Sequence, residues 1–194
     1  MHYDATFNDD DTPLDRAALA DTMRDFDAVC PTITDRFDAE VIATPGARVR
    51  IFGNFGAGID HIDLAAAKAA GIVVTNTPDA LTDSTADIAI LLILMAARRA
   101  GEGERELRAG RWTGWRPVHM LGQSVTGKTL GLVGFGRIAQ AVAARAAALG
   151  MRIFYHSRSP SAPDVEARLA ATRAASLEAL LEQADVVSLH VPGG

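Results

Sequence analysis

The feature that most limits how this chain folds is the hexapeptide Gly134-Phe135-Gly136-Arg137-Ile138-Ala139. A G-x-G-x-x-A pattern is weak by itself, and its context decides what it means. Here the apolar run Thr129 to Val133 predicts a strand directly before it, and the periodicity of Arg137 to Leu149 predicts a helix directly after it. A second strand, Met151 to His156, completes a unit of about thirty residues. In that setting each small residue has a task. Gly134 permits a tight turn, Gly136 lets the backbone approach a pyrophosphate, and Ala139 lets the helix pack on the strand. The helix that follows offers N–H groups and a partial positive charge to phosphates. The hexapeptide is therefore read as a dinucleotide-binding turn.

The end of the second strand bears on which dinucleotide. An acidic residue about twenty positions beyond the glycines usually holds the ribose 2′-hydroxyl of NAD. The stretch here is Tyr155-His156-Ser157-Arg158-Ser159, with no carboxylate before Asp164. One charge-assisted arginine contact to a 2′-phosphate contributes about 1.5–3 kcal/mol, a preference of roughly ten- to a hundredfold. NADP(H) is accordingly expected over NAD(H), with Ser157 and Arg158 as principal readers and Ser159 in support; a solvated loop accepting NAD(H) is the other option.

The remainder of the chain shows the same strand-helix alternation. Helices are expected over residues 14–28, 64–70, from Asp83 or Ser84 to Arg99, over 102–108 and over 176–183; strands over 28–31, 49–53, 72–75 and 185–191. Residues 101–127, with Trp112, Trp115, Pro117 and Gly122, read as connecting chain. Such alternation favours a parallel sheet with helices on both faces, an α/β doubly wound fold. A boundary at Thr77-Pro78 gives domains 1–77 and 78–194.

Composition removes several classes. Ordinary apolar content (48%) and a formal charge of −5 exclude disorder, and the single cysteine, Cys30, excludes an intrachain disulfide. Residues 1–40 hold 11 acids and 3 bases, leaving 13 acids and 16 bases for 41–194, so the later part is the one suited to an anion. No run of consecutive bases suggests nucleic acid, and the longest apolar run, Ile88 to Ala97, is half a bilayer span. Without an evident leader at Met1-His2-Tyr3, the cytoplasm is expected. His61, His119 and His190 have no partner at nucleophile or metal spacing and are read as structural; Asp79, Asp83 and Asp87 are read as turn and cap residues, with no metal site. Gly56-Ala57-Gly58 lacks a ribose reader at the right distance, so it is either a plain turn or a backbone cradle for a substrate carboxylate.

Three stretches carry a family resemblance: Gly56-Ala57-Gly58-Ile59-Asp60-His61-Ile62-Asp63-Leu64, Gly71-Ile72-Val73-Val74-Thr75-Asn76-Thr77-Pro78 and Leu81-Thr82-Asp83-Ser84-Thr85-Ala86-Asp87. With Gly110-Arg111-Trp112-Thr113-Gly114-Trp115, Gly127-Lys128-Thr129-Leu130-Gly131, the hexapeptide and Asp185 to Pro192, they make the chain similar to D-isomer-specific 2-hydroxyacid dehydrogenases, nearest the glyoxylate/hydroxypyruvate reductase branch. The resemblance implies a Rossmann-type cofactor domain beside a smaller flavodoxin-like substrate domain. It also implies reduction of a small 2-oxo acid by hydride transfer from a nicotinamide bound in the cleft. It assigns the substrate carboxylate to Ala57 and Gly58, and cofactor contacts to Thr85, Arg137, Ile138, Val191 and Pro192 as well as the glycines. It further implies a homodimer buried through Ile88 to Ala97 and the Trp-bearing segment. The family's catalytic Arg, Glu and His fall beyond Pro192, so no catalytic residue is assigned within this chain. The 194 residues alone are expected to be inactive, and a sheet with four of six strands is expected to leave an edge and apolar helix faces uncovered. The rival reading is a dinucleotide-sensing binding protein like the family's co-repressor relatives.

Overall fold

The computed structural model describes residues 3–191 and divides the chain into two compact units, one ending at Leu81 and one beginning at Thr82. In the first unit, aspartates start each helix. Asp15 caps α1 (Arg16–Asp25), Asp38 caps α2 (Ala39–Ile42) and Asp63 caps α3 (Leu64–Ala69), each side chain accepting from first-turn N–H groups. Between them run β1 (Ala28–Val29), β2 (Ile51–Gly53) and β3 (Val73–Thr75), a parallel sheet in the order β1-β2-β3. Met23, Phe37, Val41, Phe52 and Ile62 form its core, with the Phe37 and Phe52 rings 4.7 Å apart. The sequence did not suggest α2, because four residues are too few to show a period.

The second unit opens with α4 (Thr82–Ala97) and α5 (Ala100–Arg108). A four-stranded parallel sheet follows, made of β4 (Thr129–Val133), β5 (Arg152–His156), β6 (Ala171–Arg173) and β7 (Val186–Leu189). The intervening helices are α6 (Arg137–Ala148), α7 (Pro163–Leu169) and α8 (Leu177–Gln183). The spatial order is β6-β5-β4-β7, so the chain starts near the middle, steps outward twice, then reverses to the other side of β4. That reversal is where open α/β sheets bind ligands, outside the carboxyl ends of the strands. β4 is buried because neighbours flank it on both edges. Leu130 and Leu132 pack with Val142, Ala143, Ala146 and Tyr155 in the core.

Two elements here were not expected, α7 and β6. Pro163 at the first turn with Asp164 and Glu166 behind it was a usable helix signal, whereas three-residue β6 had none. One capping expectation is corrected. Asp83 and Asp87 both pair with Arg145 of α6, at 2.9 and 2.7 Å, tying α4 to the helix that carries the glycine turn. The edge strand β7 leaves Leu189 71% exposed, and Val187 beside it is exposed too.

Candidate functional site

The turn between β4 and α6 is fixed from three sides. The Gly134 N–H donates to the His156 carbonyl at the end of β5, the His190 N–H donates to the Val133 carbonyl, and the Gln140 amide donates to the Phe135 carbonyl. Gly134 has φ +88°, and a β-carbon there would lie 2.4 Å from the His190 carbonyl oxygen, so glycine is required by the fold itself. Gly136 is different. Its φ is −76°, open to any residue, and a β-carbon there would meet nothing within 4 Å. The fold has no need of glycine at 136, and its absent side chain leaves clear space over the first turn of α6. No side chain caps that helix, while Ala139 is fully buried against the sheet. An uncapped twelve-residue helix behind a bare glycine fits a pyrophosphate.

Phe135, the residue between the glycines, points into the core. It stacks on Tyr155 with ring centroids 3.9 Å apart and planes 15° from parallel. Tyr155 is fully buried; its hydroxyl donates to Glu166 of α7 and accepts from the Ser161 N–H. Burial, then the Glu166 carboxylate, push the phenol above its ordinary value, so it stays protonated and keeps donating. The stack thus joins the glycine turn to the segment after β5 that was expected to read the ribose.

In that segment Ser157 is half-buried, and Arg158 and Ser159 are exposed. The Ser157 hydroxyl donates to the Ser159 carbonyl at 2.6 Å, which closes the turn and leaves the hydroxyl as an acceptor. A guanidinium that the sequence reading passed over adds to this group. Arg173, the last residue of β6, donates to the Ser157 carbonyl at 3.1 Å. It was missed because β6 was missed; the Tyr155–Arg173 register brings it to the end of β5. Thr85 is exposed in the first turn of α4, and Val191 is half exposed just beyond β7. Val191 lies against the turn, its side chain 2.9 Å from where a Gly134 β-carbon would sit. Pro192 lies outside the described residues. His190 bonds Ser188 through Nε2 at 2.9 Å, and burial holds its pKa below the ordinary 6.5.

In the first unit, Ala57 and Gly58 lie in the loop after β2. Asn54 donates to the carbonyls of Gly56 and Gly58, and Asn76 donates to that of Ala57. His61 meets Asn54 at 2.8 Å, and burial, opposed by Asp35 and Asp60, lowers its pKa below the ordinary 6.5. His119 sits against Glu106 at 2.8 Å on the wall of a groove of about 470 Å³ lined also by Arg99, Arg105 and Arg111. No residue of the glycine turn lines that groove. Among the described residues no group of His, Cys, Asp or Glu could hold a metal ion, and no helix is long and apolar enough to cross a membrane.

The β6-β5-β4-β7 sheet with its glycine turn at the reversal defines a Rossmann-type dinucleotide-binding protein. Comparison with known proteins narrows this. The family model for the NAD binding domain of D-isomer specific 2-hydroxyacid dehydrogenases matches residues 90–194, more than half the chain. The chain belongs to that family. It is 45% identical to a glyoxylate reductase of Thermococcus kodakarensis over 98% of its own length and 58% of the relative's. It is 39% identical to a glycerate dehydrogenase of Hyphomicrobium methylovorum over 98% of its length and 59% of the relative's. Among solved structures, a D-isomer specific 2-hydroxyacid dehydrogenase from Polaromonas superposes with a TM-score of 0.88 at 38% identity, covering 96% of this chain and 58% of that one. The chain therefore spans a little under three fifths of the relatives it matches.

Proposed function

We propose that this chain carries the cofactor turn and the substrate-carboxylate loop of a reductase that converts a small 2-oxo acid, glyoxylate or hydroxypyruvate, to the 2-hydroxy acid with NADPH. The observation that carries the reading is the contrast between the glycines. Gly134 is demanded by the fold, while Gly136 is demanded only by something that approaches the first turn of α6. The first-turn N–H groups at Arg137 and Ile138 would hold the pyrophosphate, with Val191 and Pro192 along the adenine side and Thr85 toward the nicotinamide. The cofactor, when bound, supplies the hydride. Arg158 and Ser159 would receive the 2′-phosphate, Ser157 joining them by turning its hydroxyl proton from the Ser159 carbonyl to the phosphate, and Arg173, whose hold on the Ser157 carbonyl keeps a second positive charge there, completing the group. Ala57 and Gly58 would orient the oxo acid through its carboxylate. The names of the glyoxylate reductase and glycerate dehydrogenase relatives support this substrate class. A homodimer is the expected state, supported by the exposed apolar side of α4, and the cytoplasm is the expected compartment.

Calorimetric titration of the polypeptide with NADPH and NADH tests the cofactor assignment. NADPH is expected to bind about tenfold or more tightly, and Arg158→Gln to remove roughly ten- to a hundredfold of that affinity while leaving NADH unchanged. Tighter binding of NADH by the unmodified chain contradicts it. The 194 residues alone are expected to show no glyoxylate-dependent oxidation of NADPH; turnover free of host reductases would place the acid-base groups within this chain after all.

A further inference from the structure

The loop after β2 is organised by a side chain that is 2% exposed, Asn54. Both of its amide hydrogens are committed, one to the Gly56 carbonyl at 3.0 Å and one to the Gly58 carbonyl at 2.9 Å. Carbonyls only accept, so Nδ2 must face the loop and Oδ1 must face His61, which donates from Nε2 at 2.8 Å. Asn76, just beyond β3, donates to the carbonyl in between, that of Ala57, at 2.8 Å. Three successive carbonyls are thereby drawn onto two asparagines. In a trans peptide the C=O of one residue and the N–H of the next point in opposite directions, and no peptide among the described residues is cis. The N–H groups of Ala57 and Ile59 are therefore turned away from Asn54, and that of Gly58 away from Asn76. Gly58, at the middle of this row, is exposed, whereas Gly56 is buried.

We propose that Asn54 is a positioning residue for carboxylate recognition: it aims the backbone N–H groups of Ala57 and Ile59 at the carboxylate of the 2-oxo acid, while Asn76 sets that of Gly58 and His61 fixes the Asn54 amide. This rests on the reading of the loop given above and adds to it a third donor, Ile59, and the residues that set the direction of all three. Peptide N–H groups that meet at one point bind an anion without a full positive charge. Direction matters here because the exposed Asp60 carboxylate, 3.9 Å from where a Gly58 β-carbon would sit, opposes an anion. Asn54→Asp keeps the shape of the side chain but replaces the two donors with an oxygen facing two carbonyl oxygens, so the peptides lose their reason to point inward. His61→Gln retains an N–H for Oδ1, and His61→Leu removes it.

The test is an amide-resolved NMR titration of the 15N-labelled chain with oxamate, an unreactive 2-oxo acid analogue. In the unmodified chain the Ala57, Gly58 and Ile59 signals are expected to shift saturably. Asn54→Asp is expected to weaken oxamate by about tenfold or more while the signals of β4 and α6 and the affinity for NADPH stay unchanged. His61→Gln is expected to bind within about twofold of the unmodified chain and His61→Leu more weakly, a comparison that holds if Asn54→Asp does not fold. Unaltered binding in both Asn54→Asp and His61→Leu, with the same three signals shifting, overturns the positioning role and leaves the loop reading intact. No shift at the loop in the unmodified chain overturns the loop reading, and the inference with it.

Discussion

At the scale of single residues, the two glycines of the turn separate what the fold needs from what a ligand needs. Gly134→Ala places a β-carbon against the His190 carbonyl and forces alanine to φ +88°. The left-handed backbone alone costs about 1–2 kcal/mol before the clash is counted, so a large fall in Tm is expected. The β-carbon added by Gly136→Val meets nothing within 4 Å. Its unfolding free energy is expected to stay within about 1 kcal/mol, the scale of a helix N-cap change, while dinucleotide affinity falls by about tenfold or more. Loss of stability in Gly136→Val with dinucleotide binding intact would reverse the assignment. This distinction between the glycines was only half legible in the sequence. The spacing announced a turn and a helix, but only the turn's approach to His190, more than fifty residues away, shows which glycine the fold requires.

At the scale of elements, β7 is held to β4 by its flanking residues. The Asp185 carboxylate accepts the Thr129 N–H at 2.8 Å and pairs with Lys128 at 3.0 Å, and these hold its pKa below the ordinary 3.8. A carboxyl whose folded pKa is depressed stabilises the fold above its unfolded value and loses that contribution as pH falls through the folded one. For the half-buried imidazoles of His190 and His61, whose pKa values desolvation holds below 6.5, the neutral ring is the folded form. Their contribution is complete above 6.5 and is lost as pH falls below it. Thermal unfolding followed against pH is therefore expected to weaken in two steps, one beginning below 6.5 and one below 3.8. His190→Gln should shrink the first and Asp185→Asn the second; a Tm that rises on acidification from 6.5 would contradict the lowered imidazole pKa values. Long periodic elements such as α6 were readable from the sequence because their apolar spacing faces one core. The elements missed, α2, α7 and β6, are four, seven and three residues long, and with β6 went Arg173. Asn54 was in view between Gly53 and Phe55, yet its role depends on His61 and on loop carbonyls that only the fold brings to it.

At the scale of the whole molecule, the second unit leaves apolar side chains exposed on α4. α4 buries Ala86 and Ile93 and packs on α6, yet Ile88 and Leu92 are 55% and 58% exposed, and Trp112 and Trp115 are exposed as well. Fully covering one leucine contributes at most about 1.5–3 kcal/mol against an association cost of about 4–15 kcal/mol, so association through α4 needs Ile88, Leu91 and Leu92 covered together with further surface. Sedimentation is expected to find a dimer, and Leu92→Glu to yield monomer with the same helical content. A monomeric unmodified chain would leave this surface without the assigned partner. The comparisons establish the family and its NAD-binding domain; the proposed substrate class rests on the names of the relatives, and the 2′-phosphate preference on Arg158 and Arg173. The central claim is that the bend after Val133 cradles a diphosphate. It is tested most directly by a crystal structure of the polypeptide grown with millimolar NADPH. The account predicts the pyrophosphate on the N–H groups of Arg137 and Ile138, with the 2′-phosphate between Arg158 and Arg173. A nucleotide bound elsewhere, or the turn empty at that concentration, would contradict it.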